Sequence, residues 1–298
     1  VKDIEVVITS YNQKEMIEEA LDSVRNQTVL PERIIIIDDG SRDASSLEVL
    51  KKISQKDSKI PITIYYQENS GVSAARNTGI SKTNSKYVLI LDGDDRLKPT
   101  YIEKVINLLE ENESVVAASS WMETFGVLQS IVKPSGGTII PFLARNCCPA
   151  THIVRKSAWE KSNGYDETMR SGFEDWEYFL GLLETSEDAQ IKIAPEALIE
   201  YRTVPVSSNI KSMEKRLELM HYLMEKHKDS YSKNFIDAIL GIEKISMNRL
   251  SLWEQEILHK LDINESSEDS KKFLESPSYG DGGMASVVRI RTVESAAE

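Results

Sequence analysis

Apolar residues at the start of the chain fall into short, largely β-branched runs: Ile4 to Thr9, Ile34 to Ile37, Ile62 to Tyr66 and Tyr87 to Leu91. Runs of this length, apolar at nearly every position, predict strands buried on both faces. Between them the apolar positions recur every three or four residues. Met16, Ile17, Ala20, Leu21 and Val24 predict a helix from about Lys14 to Arg25. The same rhythm predicts helices around Leu47 to Ile53, Val72 to Ile80 and, past Pro99, Ile102 to Glu111. Strands alternating with helices imply a mainly parallel sheet with helices on both faces.

After a further strand at Val115 to Ser120 the rhythm breaks. Trp121 to Ile140, with Pro134-Ser135-Gly136-Gly137, reads as a hairpin or irregular loop across the sheet. Then come a helical segment at Lys156 to Lys161, a turn at Asn163 to Asp166 and a helix from Glu174 to about Glu184. Short strands follow at Ile191 to Ala194 and Ala197 to Tyr201, one on each side of Pro195. The pattern divides the chain into an α/β domain over 1–205, a helical hairpin over 206–263 and a polar tail over 264–298. In the hairpin, Met213, Leu217, Met220 and Met224 keep one face and Phe235, Ile239, Ile242 and Ile245 another. That stripe fits packing on the α/β domain or on a second subunit, giving a homo-oligomer; its basic flanks also fit an anionic membrane surface. The tail, rich in Ser, Glu, Asp and Gly, is expected to be poorly ordered and dispensable, with one short strand at Ser286 to Ile290.

Composition narrows the chemistry. A formal charge of −12 over 298 residues argues against nucleic acid as a partner, since phosphate-backbone binders carry a basic face. The two cysteines, Cys147 and Cys148, are adjacent and cannot build a disulfide framework, so a reducing, cytoplasmic location is expected. No apolar run approaches the roughly 20 residues that span a bilayer, and the N-terminus does not resemble a secretion signal. His152, His221, His227 and His259 are scattered and read as surface or packing residues.

What stands out is how two of the strands end. Leu89-Ile90-Leu91 runs into Asp92-Gly93-Asp94-Asp95, and Ile34 to Ile37 runs into Asp38-Asp39-Gly40-Ser41. Carboxylates gathered at the C-terminal edge of a parallel sheet suit a divalent cation that holds phosphate. The chain has no G-x-G-x-x-G after a strand and no G-x-x-x-x-G-K loop. It also lacks the G-x-S-x-G and H-E-x-x-H patterns of serine hydrolases and zincins.

Five segments in order complete the pattern: Val7 to Asn12, Ile37 to Ser41, Asn69 to Gly79, Leu91 to Asp95 and Phe173 to Glu177. Together they resemble the family 2 glycosyltransferases of the GT-A fold, over about residues 1–205. The resemblance implies a metal-dependent, inverting transfer from a nucleotide-sugar, UDP-linked by expectation, to a glycan, a lipid-linked saccharide or a glycoprotein. It implies a nucleotide pocket containing Thr9, Tyr11, Asp39, Arg76 and Asp92, with Tyr11 flanking uracil and Asp39 accepting its imide N–H. Asp94 would hold Mn²⁺ or Mg²⁺, and Asp175 would be the general base. Glu174 and Trp176 would border the sugar or acceptor pocket, with Trp176 either an apolar platform or core. Arg76 reads either as a pocket residue or as a surface ion pair, and Asn69 and Gly71 as shaping a turn. One departure is Val204, which stands where family members often carry a metal-binding His. Its presence keeps open a non-catalytic binding module of the same fold; a sugar-1-phosphate nucleotidyltransferase would carry a glycine- and arginine-rich N-terminal loop in place of Ser10 to Lys14. Membrane-surface association through the C-terminal helices would place the protein at the inner face of the membrane.

Overall fold

The computed structural model describes residues 3–205, 212–261, 268–280, 283–285 and 287–288. The expected alternation is present: β1 (Ile4–Ser10), α1 (Met16–Arg25), β2 (Ile34–Asp38), α2 (Ala44–Gln55), β3 (Ile62–Tyr66), α3 (Val72–Ser81) and β4 (Tyr87–Asp92). A two-residue strand, β5 (Arg96–Leu97), precedes α4 (Tyr101–Glu111). Then follow β6 (Val115–Gly126), β7 (Ser130–Val132), α5 (Ile139–Ala144), β8 (His152–Arg155), α6 (Lys156–Ser162), α7 (Glu174–Leu183) and β9 (Gln190–Thr203). The strands form one sheet in the order β3-β2-β1-β4-β8-β6-β9-β5, with β7 paired to β6. β3, β2, β1 and β4 run parallel, while β8 is antiparallel to both β4 and β6.

Every residue of β1 and β2 is buried, because helices cover both sides. Ile4, Val6 and Ile8 face one core with Leu21, Leu50 and Leu109. Val7, Ile35 and Ile37 face the other with Ala75, Phe179 and Leu180. The chain leaves β1 toward β2 and β3 on one side and returns as β4 on the other, so a crevice opens at the C-terminal ends between them. Register fixes what meets there: Ser10 lies beside Asp38 and Thr9 beside Asp92.

Two sequence expectations change in the second half of the sheet. The segment from Trp121 continues β6 and turns back as β7, so the hairpin reading applies as far as Val132 and the irregular loop from Lys133 to Thr138. The two short strands around Pro195 are one strand, β9. Ser120 pairs with Ala194 and Trp121 with Ala197, which leaves Pro195 and Glu196 bulged out of the ladder. A bulge lets a strand carry a proline that has no N–H to donate.

The C-terminal helices are α8 (Arg216–Lys226), α9 (Lys228–Lys233), α10 (Phe235–Leu261) and α11 (Glu268–Glu275). Their buried face overlaps the expected one only in part: Met220 is buried and Met224 and Ile242 pack on the core as expected, together with Leu219, Leu223, Tyr231 and Ala238, whereas Leu217 is 86% and Phe235 64% exposed. Both sets satisfy a helical period, and only the position of the partner chooses between them. The partner is the α/β domain, where the Tyr231 hydroxyl donates to the Leu143 carbonyl at 2.9 Å.

Of the segment expected to be a polar, poorly ordered tail, the described residues include a buried apolar set. Phe273 and Leu274 of α11 pack on the core, and Met284, Ala285, Val287 and Val288 are buried. Within the expected strand at Ser286 to Ile290, Val287 and Val288 are helical, and the other positions lie outside the described residues. No helix among the described residues is long and apolar enough to cross a membrane.

Candidate active site

At the end of β2, two neighbouring aspartates do different work. Asp38 accepts the Ser41 hydroxyl at 2.5 Å and the Ser41 N–H at 3.0 Å, closing its own turn. Asp39 accepts Gln67 Nε2, Ser70 N and Gly71 N at 2.8, 2.8 and 2.9 Å, tying β2 to the loop before α3. Gly40 sits between them at φ +74°, and a Cβ there would lie 2.7 Å from the Asn69 N. Asn69 donates to the Asp39 carbonyl at 3.0 Å, which is the turn-shaping role read from sequence. A carboxylate offers about four lone-pair sites, so Asp39 retains room for one further donor.

Arg76, on α3, is 2% exposed, which removes the surface reading. Its Nη2 donates to both Asp92 oxygens at 3.0 and 3.1 Å, and its Nη1 reaches Glu174 Oε1 at 3.4 Å. Burial opposes its charge, but Asp92 and Glu174 overcome that and hold the guanidinium firmly protonated. One buried cation thereby joins the end of β4 to the start of α7. Thr9 Oγ1 adds a hydrogen bond to Asp92 at 3.1 Å.

Asp94 and Asp95 follow on the β4 end. Burial, then the Asp92 charge, pushes the Asp94 carboxyl up to about 6. Asp95 is 3% exposed and accepts the Arg202 N–H at 2.9 Å, while Arg202 Nε donates to the Asp94 carbonyl at 3.0 Å. Burial and the charges of Asp94 and Asp92 raise the Asp95 carboxyl strongly. Among the described residues no three His, Cys, Asp or Glu side chains form a metal cluster. Asp94 lines the cavity, and a single carboxylate would suit only a cation that completes its shell with ligand oxygens and water, as Mg²⁺ commonly does. Val204 lines the same cavity, is 41% exposed and can supply no ligand.

Across the crevice, Gly172 and Phe173 adopt φ of +108° and +64° and redirect the chain into α7. Asp175 then lies in the first turn, where its Oδ1 accepts the Trp176 N–H at 2.8 Å and its Oδ2 accepts Asn146 Nδ2 at 2.9 Å. Burial and the Glu174 charge push this carboxyl up to about 7, a value suited to a base at neutral pH. Of the two readings of Trp176, its burial favours core: the residue borders the cavity but is 1% exposed, and its indole N–H donates to the Phe142 carbonyl at 2.6 Å. Tyr11, by contrast, is 46% exposed at the cavity wall.

Thr9, Tyr11, Asp39, Arg76, Asp92, Asp94, Glu174 and Asp175 all line one cavity of about 570 Å³. Sequence reasoning missed Asn146, Arg170, Arg216 and Tyr279, which line it too. None belongs to a motif, and their arrival depends on loops and on the C-terminal chain. The histidines behave as packing residues where they are buried. His152 is held neutral by burial, its pKa pushed down to about 3, and His227 lies between Glu177 and Glu184.

A parallel sheet whose acidic strand ends face a carboxylate at a helix N-terminus is the GT-A architecture. The profile of glycosyl transferase family 2 matches residues 5–162, and the chain belongs to that family. It is 31% identical over 211 residues to an uncharacterised glycosyltransferase of Haemophilus influenzae, spanning 67% of this chain and 65% of that protein. Over 245 residues it is 27% identical to a glycosyltransferase of Methanocaldococcus jannaschii, spanning 79% and 82%. The S. aureus TarS 1–349 structure in complex with UDP shares the fold, with a TM-score of 0.54 at 20% identity over 75% of this chain and 65% of that one.

Proposed function

We propose that this protein is a metal-dependent, inverting glycosyltransferase that uses a UDP-sugar and transfers a hexosyl or N-acetylhexosaminyl group to a hydroxyl of a glycan, a lipid-linked saccharide or a glycoprotein. The observation that carries the reading is the opposition, within one cavity, of Asp175 to the Asp92 and Asp94 carboxylates. Tyr11 offers an exposed ring for a base, and the fold shared with a UDP-bound TarS structure supports uracil as that base. Asp94, with diphosphate oxygens and water, would hold Mn²⁺ or Mg²⁺, which supplies neutralisation of the leaving diphosphate. Asp175 accepts the proton of the acceptor hydroxyl as the hydroxyl oxygen bonds to the anomeric carbon from the face opposite the diphosphate, while the bond from that carbon to the diphosphate oxygen breaks and its electron pair leaves with UDP. Asn146 fixes the orientation of that carboxylate, and Arg76 pairs with both Asp92 and Glu174, offsetting one of their two negative charges beside the donor. Two buried free thiols support a reducing, cytoplasmic setting.

The test is thermal stability with UDP, GDP, ADP and CDP, each with and without Mn²⁺. A ligand at about 100 times its dissociation constant adds about 2.7 kcal/mol, so UDP with Mn²⁺ should raise the melting temperature most. Asp94→Ala should abolish the Mn²⁺ component. In the parent that component should fade as pH falls through about 6, because protonation of Asp94 competes with the cation. An Asp94→Ala protein with parental Mn²⁺ dependence would remove this residue from the metal site.

A further inference from the structure

The chain that follows α11 returns to the candidate active site, although it lies far beyond residues 5–162, which the family profile matches. It is fastened at both ends. The Glu275 carbonyl accepts from the Ser130 hydroxyl, and the Ser276 hydroxyl donates to the Ile131 carbonyl at 3.1 Å, both on β7. At the other end Val287 and Val288 are 0% and 4% exposed in the core. Between these anchors Tyr279 and Gly280 line the cavity.

Gly280 touches the machinery directly. Its φ is +83°, and a Cβ would lie 1.8 Å from the Asn146 carbonyl oxygen, so only glycine allows the two backbones to approach this closely. Asn146 is the residue that orients Asp175. Tyr279 stands close enough to Asp175 that burial and that charge together raise its phenol strongly. Trp176, the aromatic residue next to the base in sequence, is turned into the core.

We infer that Tyr279 and Gly280 form the acceptor-side wall of the active site, an aromatic cover that keeps bulk water away from Asp175 and that an acceptor sugar must contact. The inference rests on the donor and base assignments proposed above. An aromatic face suits the C–H face of a pyranose, and a base shielded from water transfers the sugar to an acceptor in preference to hydrolysing the donor. If the wall opens, water becomes the acceptor. Its oxygen bonds to the anomeric carbon, the bond from that carbon to the diphosphate oxygen breaks, the electron pair leaves with UDP, and the water proton passes to Asp175.

The experiment uses the full chain with Mn²⁺ and no acceptor. It measures UDP release from UDP-glucose, UDP-galactose, UDP-N-acetylglucosamine and UDP-N-acetylgalactosamine, with UDP affinity followed by calorimetry. Tyr279→Ala should raise hydrolysis of the preferred donor roughly tenfold or more while UDP affinity holds within about twofold. Tyr279→Phe, which keeps the ring, should raise it far less. Gly280→Ala should act like Tyr279→Ala, because its Cβ forces the segment off Asn146; if that variant does not fold, Tyr279→Ala alone carries the test. UDP binding retained with hydrolysis unchanged in Tyr279→Ala would overturn the wall. A parent that binds no UDP would overturn the donor reading, and the wall with it.

Discussion

Asp39 binds its own loop before it can bind a base. Its oxygens hold the N–H groups of Ser70 and Gly71, so Asp39→Ala leaves two backbone donors without their partner. Both groups are only partly buried, and a hydrogen bond of this kind contributes about 0.5–1.5 kcal/mol. The variant should therefore melt earlier and weaken every nucleotide, with an added loss specific to UDP if the remaining lone pair reads uracil. A parental melting temperature would show that the loop contacts carry no stability. For Asp175 the sign of the pH effect follows from its raised acidity constant. A base works deprotonated, so turnover should fall as pH drops through about 7, far above the ordinary carboxylate range. Asp175→Asn should lose that acid limb and about 10²–10⁴-fold in transfer while keeping donor affinity. Transfer at the parental rate would take Asp175 out of the mechanism. The same shift means that the native chain holds this proton more tightly than the unfolded chain between about pH 4 and 7. Stability contributed by Asp175 thus declines across that window as pH rises, and Asp175→Asn should flatten the decline. Glu174→Gln should reduce transfer less, acting through its pairing with Arg76.

Helix α7 presents Asp175 at one end and is clamped along its length by the C-terminal helices. His227, 5% exposed at the junction of α8 and α9, places Nδ1 2.9 Å from Glu184 Oε2 and Nε2 3.4 Å from Glu177 Oε1. The second contact is an ion pair without hydrogen-bond geometry. Lys226 adds a bond to Glu177 at 2.8 Å and reaches Asp166 at 2.5 Å. Burial opposes the imidazolium, but the two glutamates outweigh it and push His227 up to about 9. Because the folded value lies above the unfolded one, this clamp contributes in full below about pH 6.5 and is lost as pH rises through about 9. Melting curves from pH 6 to 10 should show that loss in the parent and not in His227→Gln. Identical pH profiles would mean that the clamp does not couple to folding.

On the scale of the whole chain, the C-terminal segment belongs to the core. Removing everything after residue 264 would uncover the surface that Phe273, Leu274, Met284, Val287 and Val288 pack against. A fully buried side chain of this kind stabilises by about 1.5–3 kcal/mol as an upper figure, and each kcal/mol is worth about 2–4 °C in a domain of 150–250 residues. The truncated chain should melt roughly ten degrees lower or be insoluble. An unchanged melting temperature would restore the reading of the segment as a dispensable tail. Leu217 and Phe235, expected on the packed faces, are exposed because the position of the opposing layer selects the buried face.

The strands, the helices of the first half and the acidic strand ends were legible in the sequence because each is a local property. An apolar run of strand length, a three-to-four spacing and an Asp-Gly turn all act within a few residues. Asp39, Asp92, Asp94 and Asp175, which line the cavity, could be singled out for the same reason, since each sits at the end of such an element. Tertiary structure alone decided which charges meet. Arg76 joins Asp92 and Glu174, 16 and 98 positions away. It also turned Trp176 inward and brought Gly280 against Asn146. Those outcomes depend on how whole layers stack, and a helical or strand period is satisfied by more than one face until the opposing layer is in place.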